Sequence, residues 1–389
     1  MAFDNCAPVR RSLYALNFFL TISLALTSYF NTPLLISRGI SEWSLGIVYA
    51  ASSAIVIFFL LFAPRLFNEI GGFESFAILA TLNAFALIGL GVTSGTMLTL
   101  FFFISLIVLS SIVFLLLDMF LEGSTSHEGE TGGTRAFFIT MATFAWVGAP
   151  FVAGQLSVDG NFLYLYVFAA SVFIPVLLIT AKSLHGIVDR VYVVPNIPKM
   201  IATFTESKDT RNVFVSHFLL RIFYAIMVVY APIYLINYAG FSFSEMGIIL
   251  SIAMLAFILF EIPAGRIGDK YLGEKEIMVL GLIILSVSTF MIAQITEQPL
   301  LVWAMVLFTT RAGAALLEIS TESYFFKRVG SGDADKVGAF RALSPLSYIV
   351  GPLFGTVALL FVSVPNLFAL LAVILILGIP FAISLKDTK

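Results

Sequence analysis

Three observations predict an all-α integral membrane protein of twelve transmembrane helices in two pseudo-symmetric six-helix bundles. The chain of 389 residues is 60% hydrophobic and 11% charged, with 40 phenylalanines. Apolar runs of about 18 or more residues recur along its length, each long enough to cross a hydrocarbon core. Features of the first half also return in the second. Helices are required because hydrocarbon offers the backbone no hydrogen-bond partners. The short alternating strands of an outer-membrane barrel are absent.

Apolar runs between polar breaks place the spans near 13–36, 43–66, 74–93, 96–121, 135–157, 161–182, 213–238, 244–264, 276–296, 299–323, 337–361 and 364–385. The first run, "LYALNFFLTISLALTSYFNTPLLI", is too long for a signal-peptide core and lacks a small-x-small cleavage site, so it is read as a spanning helix. One side of the membrane collects Arg10, Arg11, Arg65, Lys182, Arg190, Lys199, Arg266, Lys270, Lys275, Lys327, Arg328 and Lys336, while the other holds Arg38 and little else. That bias places both termini in the cytoplasm of a cell (plasma or inner) membrane. The longest polar gap, Ser183–Asn212, lies near the midpoint and carries two prolines, as a linker does. The expected organisation is a bundle over 1–185, a cytoplasmic linker over 186–212 and a second bundle over 213–389.

The internal repeat is specific. "RGISEWSLGIV" from Arg38 is answered by "AGFSFSEMGII" from Ala239, with Gly39 over Gly240 and Gly46 over Gly247. The same offset sets Arg65 over Arg266, Asn68 over Asp269 and Gly72 over Gly273; further on, Asp118 and Glu122 fall over Glu318 and Glu322. Two parallel six-helix halves related by an axis along the membrane normal form a transporter plan.

At this point the residues resemble a family. "GRIGDKYLGEK", Gly265–Lys275, is similar to the loop between the second and third helices of each half in the major facilitator superfamily, which usually reads Gly, two residues, Asp, Arg/Lys, two residues, Gly, Arg/Lys. Gly265, Asp269, Lys270, Gly273 and Lys275 supply it, with the first spacing one residue longer. The first-half copy keeps Pro64 and Arg65 but has Asn68 at the acid. "GPLFG" in the eleventh span resembles the Gly-Pro pattern that the family's antiporters usually carry in the fifth; there this chain has only "APFVAG", Ala149–Gly154.

The resemblance implies alternating access, with helices 1, 4, 7 and 10 lining a central cavity. It also implies a cytoplasmic gate in which Arg266 meets the acids of the tenth helix and Asp269 the start of the eleventh, whose N-terminus is partly positive. Glu318 and Glu322 lie one turn apart on one face. The gate candidates are Arg266, Asp269, Lys270 and Glu322, with Arg65, Asp118 and Glu122 as the first-half set.

Charges at mid-depth in a membrane are costly and are commonly functional or paired. Arg221 lies about 15 Å into its span and Arg311 near the midplane, at 1.5 Å per residue. Guanidinium suits carboxylate or phosphate through paired donors. Arg221, Arg311, Asn31 and Tyr224 are therefore the substrate-binding candidates; the competing reading is a structural pair in which Glu318, two turns from Arg311, reaches an arginine or His217 across the cavity. Glu318, a carboxylate partly withdrawn from water, and His217, four residues before Arg221 and so on its face, are the proton-coupling candidates.

The single cysteine, Cys6, excludes an internal disulfide and a cysteine metal site. No GxxxxGK[ST] loop is present, and "HEGETGG", His127–Gly133, lacks metal-ligand spacing. No cofactor, enzyme activity or nucleic-acid partner is expected; the partners are a small-molecule substrate, the lipid bilayer and protons, for a monomer. The function expected is secondary transport of a small organic solute, favoured as anionic and proton-coupled. The alternatives are efflux of lipophilic drugs, or a transporter-like sensor or scaffold without turnover.

Overall fold

The computed structural model describes residues 6–124, 131–184, 192, 196–295, 299–329 and 333–387, apart from the side chains of 6–8, 131–136, 269–270 and 334. Within these bounds every regular element is helical: α1 Cys6–Ser28, α2 Asn31–Ser37, α3 Leu45–Ile70, α4 Gly72–Val92, α5 Thr96–Ser124, α6 Thr131–Leu156, α7 Leu163–Ser171, α8 Phe173–Ser183, α9 Ile197–Glu206, α10 Lys208–Ile233, α11 Phe243–Ile267, α12 Glu274–Ile292, α13 Leu300–Phe326, α14 Ala334–Ala358, α15 Val364–Ile376 and α16 Ile379–Ile383. Among the described residues eleven spans are long and apolar enough to cross a membrane, and α1 with α2, bent by 42°, makes a twelfth. The "HEGETGG" stretch lies outside the described residues up to Glu130.

Three of the predicted spans are broken, and each break has a proline behind it. A proline lacks the N–H that would bond the carbonyl four residues earlier. Pro33, Pro175 and Pro380 withdraw that bond from Tyr29, Ser171 and Ile376, where α1, α7 and α15 give out.

The chain forms two compact units, Met1–Ile40 with Ser52–Val194, and Ser41–Ala51 with Pro195–Lys389. In the first, α1 packs on α6 and α8, and α4 packs on α5 and α7. Polar side chains serve as glue between apolar helices. Asn17 donates to the Phe138 carbonyl at 2.7 Å, Ser23 to Ala169 at 3.0 Å, and Asn83 to Ser110 at 2.9 Å. In the second unit α13 packs against both α11 and α12, and α10 packs on α14. The segment Ser41–Ala51 joins this unit through Thr356, which donates to the Trp43 carbonyl at 2.8 Å, and Asn237, which donates to Glu42 at 2.7 Å. The stretch read as a linker contains α9, which packs on α10 and α14.

The repeat survives at the level of backbone angles. Gly39 and Gly240 have φ of 86° and 77°, and Gly71 and Gly273 have 99° and 87°. This left-handed region favours glycine, which has no Cβ to clash there. The partner of Gly273 is thus Gly71, one residue before the glycine that the sequence alignment chose.

Gly281 and Gly313 let α12 and α13 touch backbone to backbone. A Cβ at Gly313 would fall 2.5 Å from the Leu285 nitrogen, and one at Gly281 would fall 2.8 Å from the Leu317 nitrogen. Gly313→Ala is therefore expected to lower the melting temperature by several degrees, the scale of about 1–3 kcal/mol for overpacking. Gly148→Ala, whose methyl meets nothing within 4 Å, is expected to leave it unchanged. Thermal melts of the purified variants check both.

Candidate functional site

Arg221 sits in the middle of α10, where its charge demands compensation that hydrocarbon does not give. Two acids of α13 supply it. The Arg221 guanidinium lies 3.1 Å from Glu318 and 3.5 Å from Glu322, each group partly exposed. The second oxygen of Glu318 accepts from the Tyr224 hydroxyl at 2.7 Å. Spacings of three and four residues on two helices (Arg221 with Tyr224, Glu318 with Glu322) turn these groups toward one another.

His217 completes the network from below. Arg221 donates its Nε–H to His217 Nε2 at 3.0 Å, and His217 Nδ1 faces the Thr321 hydroxyl, also at 3.0 Å. Arginine has no acceptor, so Nε2 must accept, the ring is neutral and its proton is on Nδ1. Thr321 in turn donates to the carbonyls of Leu317 and Glu318 at 2.8 and 3.0 Å. Phe340 stacks on His217 at 4.1 Å and on Phe325 at 4.2 Å, while Phe214 meets both phenylalanines edge-on. This aromatic floor from α10, α13 and α14 covers the histidine, which is buried.

A third acid belongs to the site. Glu261, half-buried on α11, lies within electrostatic reach of Glu318 and Glu322. Arg311 is buried almost completely, its guanidinium 5.1 Å from the ring centre of Phe223, and its charge reaches Tyr224. The region thus gathers three carboxylates against two guanidiniums.

Of the residues singled out from sequence, Arg221, Tyr224, His217, Glu318 and Glu322 come together, with Arg311 beside them. Arg221 is engaged with Glu318, Glu322 and His217 within its unit. Glu322 lies beside Arg221 inside the unit, and the Arg266 side chain is exposed at the end of α11. The side chains of Asp269 and Lys270 lie outside the described residues. In the first unit Asn31 is buried and accepts from the Tyr166 hydroxyl at 2.6 Å. Arg65 is exposed, 5.5 Å from the ring centre of Phe62. Asp118 is half-buried and Glu122 exposed near the end of α5. Glu261 and Thr321 were missed. Glu261 lies one turn before the Gly265–Lys275 loop; its signal is that position, where α11 still packs on the Ile319 side chain of α13.

A chain of apolar spans with a charged network inside one half has the build of a membrane protein. Comparison agrees. The family model described as Major Facilitator Superfamily matches residues 213–389. The whole chain is similar in fold to the nucleoside transporter NupG, with a TM-score of 0.75 and 15% identity over 97% of this chain and 100% of that one. It is similar too to a bacterial homolog of the human lysosomal transporter Spinster, with a TM-score of 0.72 and 11% identity over 98% and 97%. No curated protein matches the chain by sequence. The family model thus covers the second half, and over its whole length the chain is similar in fold to these two transporters.

Contacting groups do not contribute independently to stability. Arg221→Ala leaves Glu318 and Glu322 facing each other, so it is expected to destabilise more than Glu318→Gln. The double variant is expected to recover part of the loss, with a coupling of about 0.5–3 kcal/mol. Melts of the four proteins complete the cycle.

Proposed function

We propose that the chain is a secondary transporter of a small organic anion, coupled to protons at the network of Arg221, Glu318 and Glu322. The observation that carries this reading is the double hold of two carboxylates on one guanidinium, with Glu261 as a third acid nearby. An uncompensated carboxylate away from water is costly, and a proton neutralises it. A proton taken from water by Glu318 removes the charge that holds Arg221. The guanidinium then presents its donors to a carboxylate or phosphate of the solute, so solute binding and protonation favour each other. His217, held neutral between Arg221 and Thr321, orients the guanidinium; Glu318 is the proton carrier. Arg311 adds positive charge to the same region.

The halves 1–185 and 213–389 alternate around the bound solute in a monomer. The Lys and Arg bias supports cytoplasmic termini in a cell membrane. The cytoplasmic gate is formed by Arg266, Asp269, Lys270 and Glu322, with Arg65, Asp118 and Glu122 as the first-half set.

A ligand that binds only the folded state raises its apparent stability by RT ln(1 + [L]/Kd), about 2.7 kcal/mol at 100 Kd. The purified protein is melted against organic carboxylates and phosphates, neutral nucleosides and lipophilic cations, in mildly acidic and mildly alkaline buffer. Stabilisation by anions in acid alone is expected, with Glu318→Gln extending it to alkaline buffer and Arg221→Ala abolishing it. The stabilising anion is then expected to accumulate in proteoliposomes under an acid-outside gradient. Stabilisation by lipophilic cations alone would make drug efflux the function; stabilisation by nucleosides alone would remove the anion. Binding without flux would leave a sensor or scaffold.

A further inference from the structure

Asn68, in the last turn of α3, stands where the second half carries Asp269, and the exchange has a use. Its side-chain amide donates to the Tyr192 carbonyl at 2.9 Å and accepts from the Tyr192 N–H, also at 2.9 Å. The Tyr192 ring meets the fully buried Phe67 edge-on at 5.4 Å. Only an amide side chain presents a donor and an acceptor side by side to one residue's backbone. A carboxylate here would still accept from the N–H but would turn its other oxygen's lone pairs on the carbonyl.

The chain is therefore secured to the first unit at Tyr192, well beyond the end of α8. Its next anchor is Asn196, which caps α9 by accepting from the Lys199 N–H at 3.2 Å. α9 is fixed in the second unit by Phe204 against Phe214 at 4.8 Å and by Glu206 with Lys336 at 2.8 Å. Only Val193, Val194 and Pro195 separate the two anchors.

We infer that Asn68 is a clasp that sets the length of the tether between the two halves. At no more than 3.6 Å per residue, the four steps from Tyr192 to Asn196 reach about 14 Å. With the clasp open the first-unit end of the tether moves back along the chain from Tyr192, and its reach grows by up to about 3.6 Å for each residue released. The closed clasp bounds how far the two anchor points separate as the halves alternate. Its two bonds are exposed to water, so it can open. The clasp is independent of the solute and of the network around Arg221.

The test uses the full chain in lipid nanodiscs, with Cys6→Ser and spin labels at Glu74→Cys and Thr205→Cys, both exposed positions, one in each unit. Asn68→Ala and Asn68→Asp are expected to broaden the interspin distance distribution toward longer values. Twelve Gly/Ser residues inserted after Val194 are expected to do the same, and Asn68→Ala to add nothing on top of the insertion. Exchange of the Tyr192 amide, read by hydrogen–deuterium exchange, is expected to quicken at least tenfold in Asn68→Ala. Distributions unchanged by the Asn68 variants would overturn the clasp, as would broadening that adds in full to that of the insertion. The insertion and Asn68→Asp keep the test open if Asn68→Ala does not fold.

Discussion

A guanidinium within an apolar span must be neutralised, and meeting that demand at Arg221 organises the second half of the molecule. Two acids on α13 and an acceptor on the arginine's own helix answer it, which fixes the rotation of α10 against α13. Their distance depends on features outside the network. α13 is held close to α12 by two glycines, and its register along α10 is kept by the aromatic floor of Phe214, Phe325 and Phe340. At the end of the unit Asp209 accepts from Arg328 at 2.7 Å and from the Lys386 N–H at 3.3 Å, tying the start of α10 to the end of α13 and to the residues after α16. Lys327 and Glu274 join α13 to α12 at the same end.

The first half repeats the fold without repeating this chemistry. At the offset that aligns Gly39 with Gly240, the residue over Arg221 is Leu20, which is buried in apolar packing. Asp118 and Glu122 keep the positions of Glu318 and Glu322. The polar residues that α1 does carry, Asn17 and Ser23, bond backbone carbonyls of neighbouring spans. One duplicated framework thus carries a guanidinium–carboxylate network on α10 and α13 and side-chain bonds to backbone carbonyls on α1. The change from Asp269 to Asn68 follows the same division, with an amide used for docking where the other copy has a charge.

Much of this was legible in the sequence because it depends on one helix at a time. Span number follows from apolar length, the repeat from spaced glycines, the depth of Arg221 from rise per residue, and the pairing face of Glu318 and Glu322 from helical periodicity. What escaped depends on which helix lies opposite. Periodicity says that Glu322 shares a face with Glu318, but not whether that face meets Arg221 on α10 or Arg266 on α11. Glu261 escaped notice because the sequence does not mark where α11 leaves the packing of α13. Asn68 looked like a lost acid, since the backbone it clasps lies 124 residues away. The prolines at 33, 175 and 380 did signal the broken spans, yet prolines at 64, 150, 232, 263, 345 and 352 sit inside unbroken helices. Whether the freed carbonyl finds another partner decides the outcome, and that is a tertiary property.

The two arginines differ in a way that bears on which of them can take part in a transport cycle. A buried pair that loses one partner is left with an uncompensated charge, and that penalty holds the pair closed. Arg311 is almost wholly buried and its guanidinium rests on an aromatic ring, so moving it shifts a charge within apolar packing. Arg221 and its acids are partly exposed, and water lowers both the cost of separating them and the gain of keeping them together. A site that must accept and release a solute repeatedly needs its competing states close in free energy, because a ligand shifts an equilibrium only by its differential affinity for the two states. The half-wetted network around Arg221 meets that condition. Arg311 is better suited to hold the local charge constant while its neighbours exchange.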